Sequence, residues 1–176
     1  MSSILETAVL IVPPFEVQAF AAPLRRKAMP DRWMHVPAHL TLLYPFAPPA
    51  DVDDMLPRLR LALSSLAPFN VTLDRYGRFP TALVLEPADP QPLLDLHRRL
   101  AATFPEFPIY GGEFGHELKP HLTLAHSEDG KGLNDLVLPP APVLTFRVDR
   151  LWVYAGDSKA AVPFVPLAIA RFGPAR

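Results

Sequence analysis

The sequence predicts an α+β fold with a mainly antiparallel sheet, and three observations support this. Segments with helical and β-like patterns follow one another in mixed order rather than in strict alternation. Of the 176 residues, 49% are hydrophobic and 20% are charged, which allows a sizeable buried core. No linker is long enough to separate independent domains, so we expect residues 1–176 to form a single domain.

In the first half of the chain, short apolar runs predict strands, and apolar residues three or four positions apart predict helices. The elements are a strand at 7–12 closed by two prolines, a helix at 15–28, a strand at 39–44 and a helix at 51–66. The first helix carries Phe15, Ala19 and Ala22 at helical spacing. The buried stripe of the second helix is expected at Met55, Leu59, Leu63 and Leu66.

The second half of the chain predicts a hairpin, a third helix and three further β-like runs. Strands at 71–76 and 82–85 are joined by residues 77–80, which are expected to form the hairpin turn. A helix at 92–103 directs Leu93, Leu96 and Leu100 inward. The remaining elements are a loop at 105–118, a strand at 119–125 and β-like runs at 143–154 and 162–170.

One short segment occurs twice in these predicted strands. His39-Leu40-Thr41-Leu42 recurs as His121-Leu122-Thr123-Leu124, at an offset of 82 residues (121 − 39). Residues two apart in a strand share a face. Each copy therefore presents one imidazole and one hydroxyl on its polar face and directs two leucines into the core.

Such a pair of faces suits chemistry on a phosphodiester. Two imidazoles can divide the acid and base roles, one removing a proton and the other protonating the leaving oxygen. Threonine hydroxyls can donate to the non-bridging oxygens, and a protonated histidine offsets the phosphate charge, so no metal is required. The alternative is that both histidines are ordinary strand residues and the threonines supply β-propensity. For either segment alone, this structural alternative is the favoured interpretation. For the two matching segments together, the functional interpretation is favoured.

The two His-x-Thr-x segments, with Tyr44-Pro45-Phe46 after the first, resemble those of the two-histidine phosphoesterase superfamily, the 2′-5′ RNA ligase-like proteins. The resemblance spans the chain from the first strand to Tyr154. It implies a bilobal α+β fold, with pseudo-two-fold-related lobes and a cleft between them. It also implies that His39 and His121 are catalytic, that Thr41 and Thr123 hold the phosphate, and that no cofactor is needed. Members open 2′,3′-cyclic phosphate ends of RNA or nucleotides, and some join 2′-5′ linkages.

Two other functions stay open at this stage. A non-catalytic RNA- or nucleotide-binding module would use the same cleft without turnover. A metal-dependent hydrolase would use His35 and His39, or His116, His121 and His126, as ligands. The metal site is less favoured, because these spacings run through a proline-bounded loop and a strand rather than along a helix.

Several nearby residues are secondary candidates. Lys119 lies two residues before His121 and would face the cleft if the strand began that early; a solvated lysine at the strand end is the favoured interpretation. Tyr44 and His126 have the opposite parity to the motif histidines and are expected on the far face or beyond the strand end. The loop with Tyr110, Gly111, Gly112 and Phe114 either stacks on a base or forms a tight turn. The basic stretch of Arg25, Arg26, Lys27 and Arg32 is interpreted as a solvated helix end.

Composition limits the class of partner and compartment. The formal net charge of −1 provides no broad basic field, so RNA ends or small cyclic nucleotides are expected to bind locally. Cysteine is absent, which excludes disulfides, thiolate zinc sites and thiol nucleophiles. The first residues lack a cationic leader, and the apolar run at 8–12 is too short to span a membrane. We therefore expect a cytoplasmic monomer.

Overall fold

The computed structural model describes residues 5–113, 115, 117–157 and 162–173, and within them helices and strands occur in mixed order. The strands are β1 (Glu6–Ile11), β2 (Leu40–Leu43), β3 (Phe69–Phe79), β4 (Ala82–Pro87), β5 (Leu122–His126), β6 (Leu144–Val148), β7 (Arg150–Asp157) and β8 (Val162–Arg171). The α-helices are α1 (Phe15–Ala28), α2 (Val52–Leu63) and α3 (Gln91–Thr103). Short 3-10 helices cover Pro49–Asp51 and Ile109–Gly112. The predicted α+β class is confirmed.

The strands described by the structure form one eight-stranded sheet in the order β6-β3-β4-β5-β2-β1-β7-β8. Every neighbouring pair in this order is antiparallel. The order divides into two half-sheets of four strands, β6-β3-β4-β5 and β2-β1-β7-β8. The half-sheets meet where β5 lies beside β2, and these are the strands that follow the two motif histidines.

The two half-sheets are related by an approximate two-fold axis. The units β1-α1-β2 and β4-α3-β5 have the same order of elements. Strands β2 and β5 pair with Leu40 opposite Leu122. These two leucines differ by the same 82 residues (122 − 40) as the two histidines, so the axis passes between them. The predicted pair of pseudo-two-fold-related halves is confirmed, and both halves share one continuous sheet.

The main hydrophobic core lies between the helices and one face of the sheet. Buried leucines of the motif strands, Leu40, Leu42, Leu122 and Leu124, pack there with side chains from all three helices. We call this the helical face of the sheet. A smaller cluster of Ala8, Leu10 and Tyr154, with Val12, Val36, Tyr44, Trp152 and Phe164 against it, lies apart from that core.

The predicted helices are confirmed, but the buried face predicted for α1 was wrong. In α1 the buried residues are Val17, Ala21, Leu24 and Arg25, whereas Phe15 is 79% exposed and Ala19 is also exposed. The helix is rotated relative to the expected orientation, because Val17 and Leu24 offer more apolar area to the core than the alanines do.

In the other two helices, the buried residues agree more closely with the predicted ones. In α2, Leu59 and Leu63 are buried as predicted, and Val52 and Leu56 complete the stripe. In α3, Leu93, Leu96 and Leu100 are buried as predicted. None of the helices in the described part of the chain is both long and apolar enough to cross a membrane.

Two of the differences from the predicted strands change the connection between elements. Strand β3 continues through Phe79, which pairs with Ala82, so the hairpin turn is shorter than residues 77–80 and consists of Pro80 and Thr81. The β-like run at 143–154 divides at Asp149 into β6 and β7, which lie at different places in the sheet.

Candidate active site

The four motif side chains share one face of the sheet. Leu40 and Leu122 are 1% and 0% exposed, respectively, whereas His39, Thr41, His121 and Thr123 are all partly exposed. Burial therefore alternates along both segments, as the sequence predicted. Leu10 pairs with Thr41 and Val84 pairs with Thr123, so these residues lie on the same face. We call it the motif face.

The pairing of β2 with β5 brings the two motifs together. With Leu40 opposite Leu122, continuing the antiparallel register places His39 across from Thr123 and Thr41 across from His121. Side chains directly across an antiparallel pair lie within contact range. On this extended register each histidine lies across from the other motif's threonine, and the two imidazoles are close enough to interact electrostatically.

Both imidazoles are held in the same tautomer. His39 Nδ1 lies 2.7 Å from the carbonyl oxygen of Pro37, and His121 Nδ1 lies 2.6 Å from that of Lys119. A carbonyl oxygen can only accept, so Nδ1 donates in both rings. A neutral ring then has its lone pair on Nε2. The ring orientations thus follow the same two-fold relation as the strands.

A β-bulge follows each motif at the equivalent position. On β2, Thr41 pairs with Leu10 and Leu43 with Val9, so Leu42 is the extra residue. On β5, Thr123 pairs with Val84 and Ala125 with Leu83, so Leu124 is the extra residue. Both extra leucines are fully buried. Each bulge bends its strand and changes which face the following residues occupy.

The bulges change the expected positions of Tyr44 and His126. His126 closes β5 opposite Ala82, and the bulge at Leu124 gives it the same parity as His121, so the far-face expectation was wrong for this residue. Tyr44 lies just beyond the end of β2, as one of the two stated expectations had it. It nevertheless packs against the cluster around Leu10, on the motif face.

Side chains of α1 hold the segment that leads into His39. The amide of Gln18 accepts from the backbone N–H of Ala38 at 2.9 Å and donates to the Ala38 carbonyl at 2.7 Å. Arg25 donates to the carbonyls of Val36 at 2.7 Å, Trp33 at 3.1 Å and Thr123 at 3.1 Å. One guanidinium thereby ties the first motif's lead-in to the second motif's strand.

The solvated-end interpretation of the basic stretch was wrong for Arg25. Arg25 is only 5% exposed, whereas Arg26, Lys27 and Arg32 are exposed as expected. Arg25 lies four positions after Ala21 and therefore on the buried side of α1. A buried guanidinium needs several acceptors, and the three carbonyls supply them.

The two histidines have different electrostatic surroundings. Burial lowers the pKa of His39 to about 4; the hydrogen bond to Pro37 opposes this effect, and the positive charges of Arg25 and His121 add to it. Burial also lowers the pKa of His121, but there the hydrogen bond to Lys119 and the negative charge of Glu86 both oppose the effect. The Phe79 ring meets the His121 ring edge-on, with 4.8 Å between centroids.

Tyr110 joins the site through the loop before the second motif. Its hydroxyl hydrogen-bonds the Thr41 side chain, and burial raises its pKa. Its backbone N–H donates to the Tyr44 carbonyl, and the two rings meet edge-on. Tyr110 has a φ of 51°, in the left-handed region that only a few per cent of non-glycine residues adopt. The surrounding contacts hold its hydroxyl at the motif face. Phe114 of this loop lies outside the described residues.

Lys119 and the possible metal ligands are placed differently from the motif. Strand β5 begins at Leu122, so the parity argument for Lys119 does not apply. Its side chain is exposed and its carbonyl contacts His121, while phosphate binding by its ammonium stays a prediction. Among the residues that the structure describes, no group of three metal-ligating side chains occurs. His116 lies outside those residues.

Several residues that support the site have no local sequence pattern that would predict this role. Gln18 binds the segment before His39 and Arg25 binds strand β5, and both partners are distant from α1 in sequence. Buried His97 of α3 donates from Nδ1 to the Leu42 carbonyl at 2.9 Å, which fixes the bulge after the first motif. The helical spacing of Leu93, His97 and Leu100 marks His97 as buried but gives no sign of its acceptor.

Solved structures share this fold at low sequence identity. Escherichia coli LigT complexed with 3′-AMP matches with a TM-score of 0.68 and 19% identity, over 97% of this chain and 99% of that chain. TT0787 of Thermus thermophilus matches with a TM-score of 0.70 and 21% identity, over 97% and 100%. LigT complexed with NADP+ gives 0.67 and 21%, over 98% and 99%. No curated protein matches the chain in sequence.

The family comparison agrees with the motif resemblance. The model of the 2′-5′ RNA ligase superfamily matches residues 13–160, which include both His-x-Thr segments and the helices that support them. The match covers most of the chain. The chain therefore belongs to the 2′-5′ RNA ligase superfamily.

Proposed function

We propose that this protein is a metal-independent phosphodiesterase that opens 2′,3′-cyclic phosphate ends of RNA or nucleotides. The observation that carries the proposal is the pairing of β2 with β5 at Leu40 and Leu122, which brings the two His-Thr segments side by side, together with the same tautomer in both imidazoles. Family membership supports a phosphoesterase or ligase type of activity. The related E. coli LigT structures with 3′-AMP, NADP+ and ATP support a nucleotide or RNA end as the substrate class.

The chemistry follows from the positions of the groups. In-line attack of water needs a base on one side of phosphorus and an acid on the other. His39 and His121 supply one nitrogen each, from Nε2. The base takes a proton from water as its oxygen bonds to phosphorus, and the acid protonates the departing ribose oxygen. A monoester and a free ribose hydroxyl result. The same ring opening, with the 5′-hydroxyl of a second RNA end attacking in place of water and the ribose 3′-oxygen departing, would join a 2′-5′ linkage at the same site.

The threonines and Tyr110 hold the phosphate in this scheme. A threonine hydroxyl has one proton to donate and two lone pairs. When Thr41 donates to a non-bridging oxygen, the Tyr110 hydroxyl can donate to Thr41 in turn, which strengthens the donor. Thr123 faces His39 and donates to the phosphate from the opposite strand. Buried positive charge from Arg25 adds attraction for an anionic ligand.

The test is an assay of EDTA-treated protein with nucleoside 2′,3′-cyclic phosphates and a short RNA carrying that end. His39→Ala and His121→Ala are each expected to reduce kcat by about 10²–10⁴-fold, the usual contribution of a general acid or base. His35→Ala, a histidine outside the motif pair, is the matched control and is expected to retain activity. Separation of 2′- from 3′-monoester identifies the product isomer.

Three results would contradict the proposal. Full activity in the His39→Ala, His121→Ala double variant would exclude paired-histidine catalysis. A protein that binds the cyclic nucleotide and returns it unchanged after long incubation would instead be a binding module. Loss of turnover with EDTA, restored by a divalent metal, would favour a metal-dependent hydrolase.

A further inference from the structure

The two-fold relation between the half-sheets breaks down at one position beside each histidine. Leu85 pairs with Leu122 and Ile11 pairs with Leu40. The next step along each register places Glu86 beside His121 and Val12 beside His39. Equivalent positions thus carry a carboxylate in one half-sheet and an apolar side chain in the other. The motif residues are duplicated, whereas their neighbours are not.

Two features of β3 hold the Glu86 carboxylate on the motif face. Gly77 lies opposite Val84, and a Cβ at this glycine would overlap the Glu86 Oε1. The absence of a side chain at Gly77 therefore leaves the space that the carboxylate occupies. Arg75 donates from Nε to the Glu86 Oε2 at 3.2 Å. Glu86 is thus fixed by a glycine and an ion pair rather than extended into solvent.

Charged and titratable groups around the pair differ between the two histidines. His39 is near the Arg25 guanidinium and the other histidine, and both disfavour its protonation. His121 is near Glu86, which favours its protonation; Arg75 screens part of that charge. Lys119 precedes His121 with its side chain exposed, and the Tyr110 hydroxyl reaches the site as a neutral group on Thr41.

We propose that Glu86 is a positioning residue that places the single proton shared by the histidine pair on His121 and leaves His39 neutral. Two interacting imidazoles take up protons in two steps, and the first proton goes to the site with the more negative surroundings. The catalytic consequence rests on the proposed function. The pair then enters the reaction with His121 as the acid and His39 as the base.

The first test does not depend on activity. The titration of each histidine is followed by NMR in wild type, Glu86→Gln and Val12→Gln, with folding checked by circular dichroism. Glu86→Gln is expected to lower the pKa of His121 by about one pH unit, the scale of a partly screened carboxylate neighbour. Val12→Gln introduces the same amide without a charge change and is expected to leave the order of protonation intact. An unchanged His121 titration in folded Glu86→Gln protein would overturn the proposal.

The mirrored variant tests the direction of the effect. Val12→Glu places a carboxylate beside His39, as Glu86 does beside His121 in the wild type. It is expected to raise the pKa of His39 toward that of His121. Comparison with Val12→Gln separates the charge from the change of shape. If the two Val12 variants titrate alike at His39, a carboxylate at this position does not act on the adjacent histidine, and the proposal is wrong.

The pH dependence of kcat/KM tests the catalytic consequence. The active form needs His121 protonated, so the fall in kcat/KM toward high pH follows the His121 pKa. Glu86→Gln is expected to move that fall to lower pH by about one pH unit and to reduce kcat/KM by roughly tenfold on that limb. A uniform loss at every pH would indicate a structural role. If the wild type showed no turnover, the proposed function would be wrong. The NMR titration would still show which histidine carries the proton.

Discussion

Replacement of Arg25 by methionine tests how the two motifs are tied together. Arg25 is buried on α1 and donates to the carbonyls of Trp33, Val36 and Thr123. Methionine has a similar length and fills apolar space well but donates no hydrogen bond. The Arg25→Met variant therefore keeps the packing of the helix and leaves three carbonyls without this donor.

The expected loss of stability follows from those three hydrogen bonds. A buried carbonyl that loses its partner costs about 1 kcal/mol or more. Removal of the guanidinium also removes the cost of burying its charge, which offsets part of the loss. The net decrease in the free energy of unfolding should be about 2–3 kcal/mol. For a chain of this size each kcal/mol corresponds to roughly 2–4 °C, so Tm should fall by roughly 4–12 °C.

The assay is urea unfolding followed by circular dichroism, with thermal melts in parallel. Arg26→Met is the matched control, because Arg26 is the adjacent arginine and is exposed; it should change stability by less than about 0.5 kcal/mol. A second readout is the titration of His39, whose pKa should rise when the nearby positive charge is removed. Equal stability of the two variants would refute the argument from the three carbonyls.

Three further predictions concern other supports of the site. Gln18→Leu removes the amide that binds both backbone groups of the residue before His39, and it should cost about 1–2 kcal/mol in urea unfolding, whereas Gln91→Leu at the surface should not. Gly77→Ala would displace the Glu86 carboxylate, so NMR should show the second motif histidine losing protons at lower pH, as in Glu86→Gln. The folded pKa of His39, about 4, lies below its ordinary value, so the unfolded chain binds more protons between these values. Stability should therefore fall as pH decreases from about 6.5 to 4, and His39→Asn should reduce that fall in pH-dependent unfolding.

The position of the motif face was predictable because strand geometry is local. Alternation of His39, Leu40 and Thr41 with period two is enough to separate a polar face from a buried one. The same pattern at His121 and Thr123 then implies a matching face elsewhere in the sheet. Neither deduction needs knowledge of which strands are neighbours, and burial in the structure follows the alternation at every one of these positions.

The supports of the site depend on long-range pairing, which the local pattern does not encode. The bulges at Leu42 and Leu124 exist because β1 and β4 pair out of step with the motif strands beyond the threonines. Once the register shifts, parity reverses, and this is why His126 was misplaced. Arg25 was misplaced for a related reason: its acceptors come from β5 and from the loop before His39, and composition alone favours a solvated cation at a helix end.

A duplicated site has a difficulty that the surrounding residues resolve. In the proposed reaction, attack and departure at phosphorus would move protons in opposite directions, so two identical histidines in identical surroundings would have no preferred direction. The backbone here duplicates its geometry closely, including the tautomer-fixing carbonyls of Pro37 and Lys119. The difference between the histidines must then come from side chains outside the motif. The positive charge of Arg25 acts on His39, and the negative charge of Glu86 acts on His121. The electrostatic difference between the two histidines therefore comes from residues that no search for His-x-Thr segments would select.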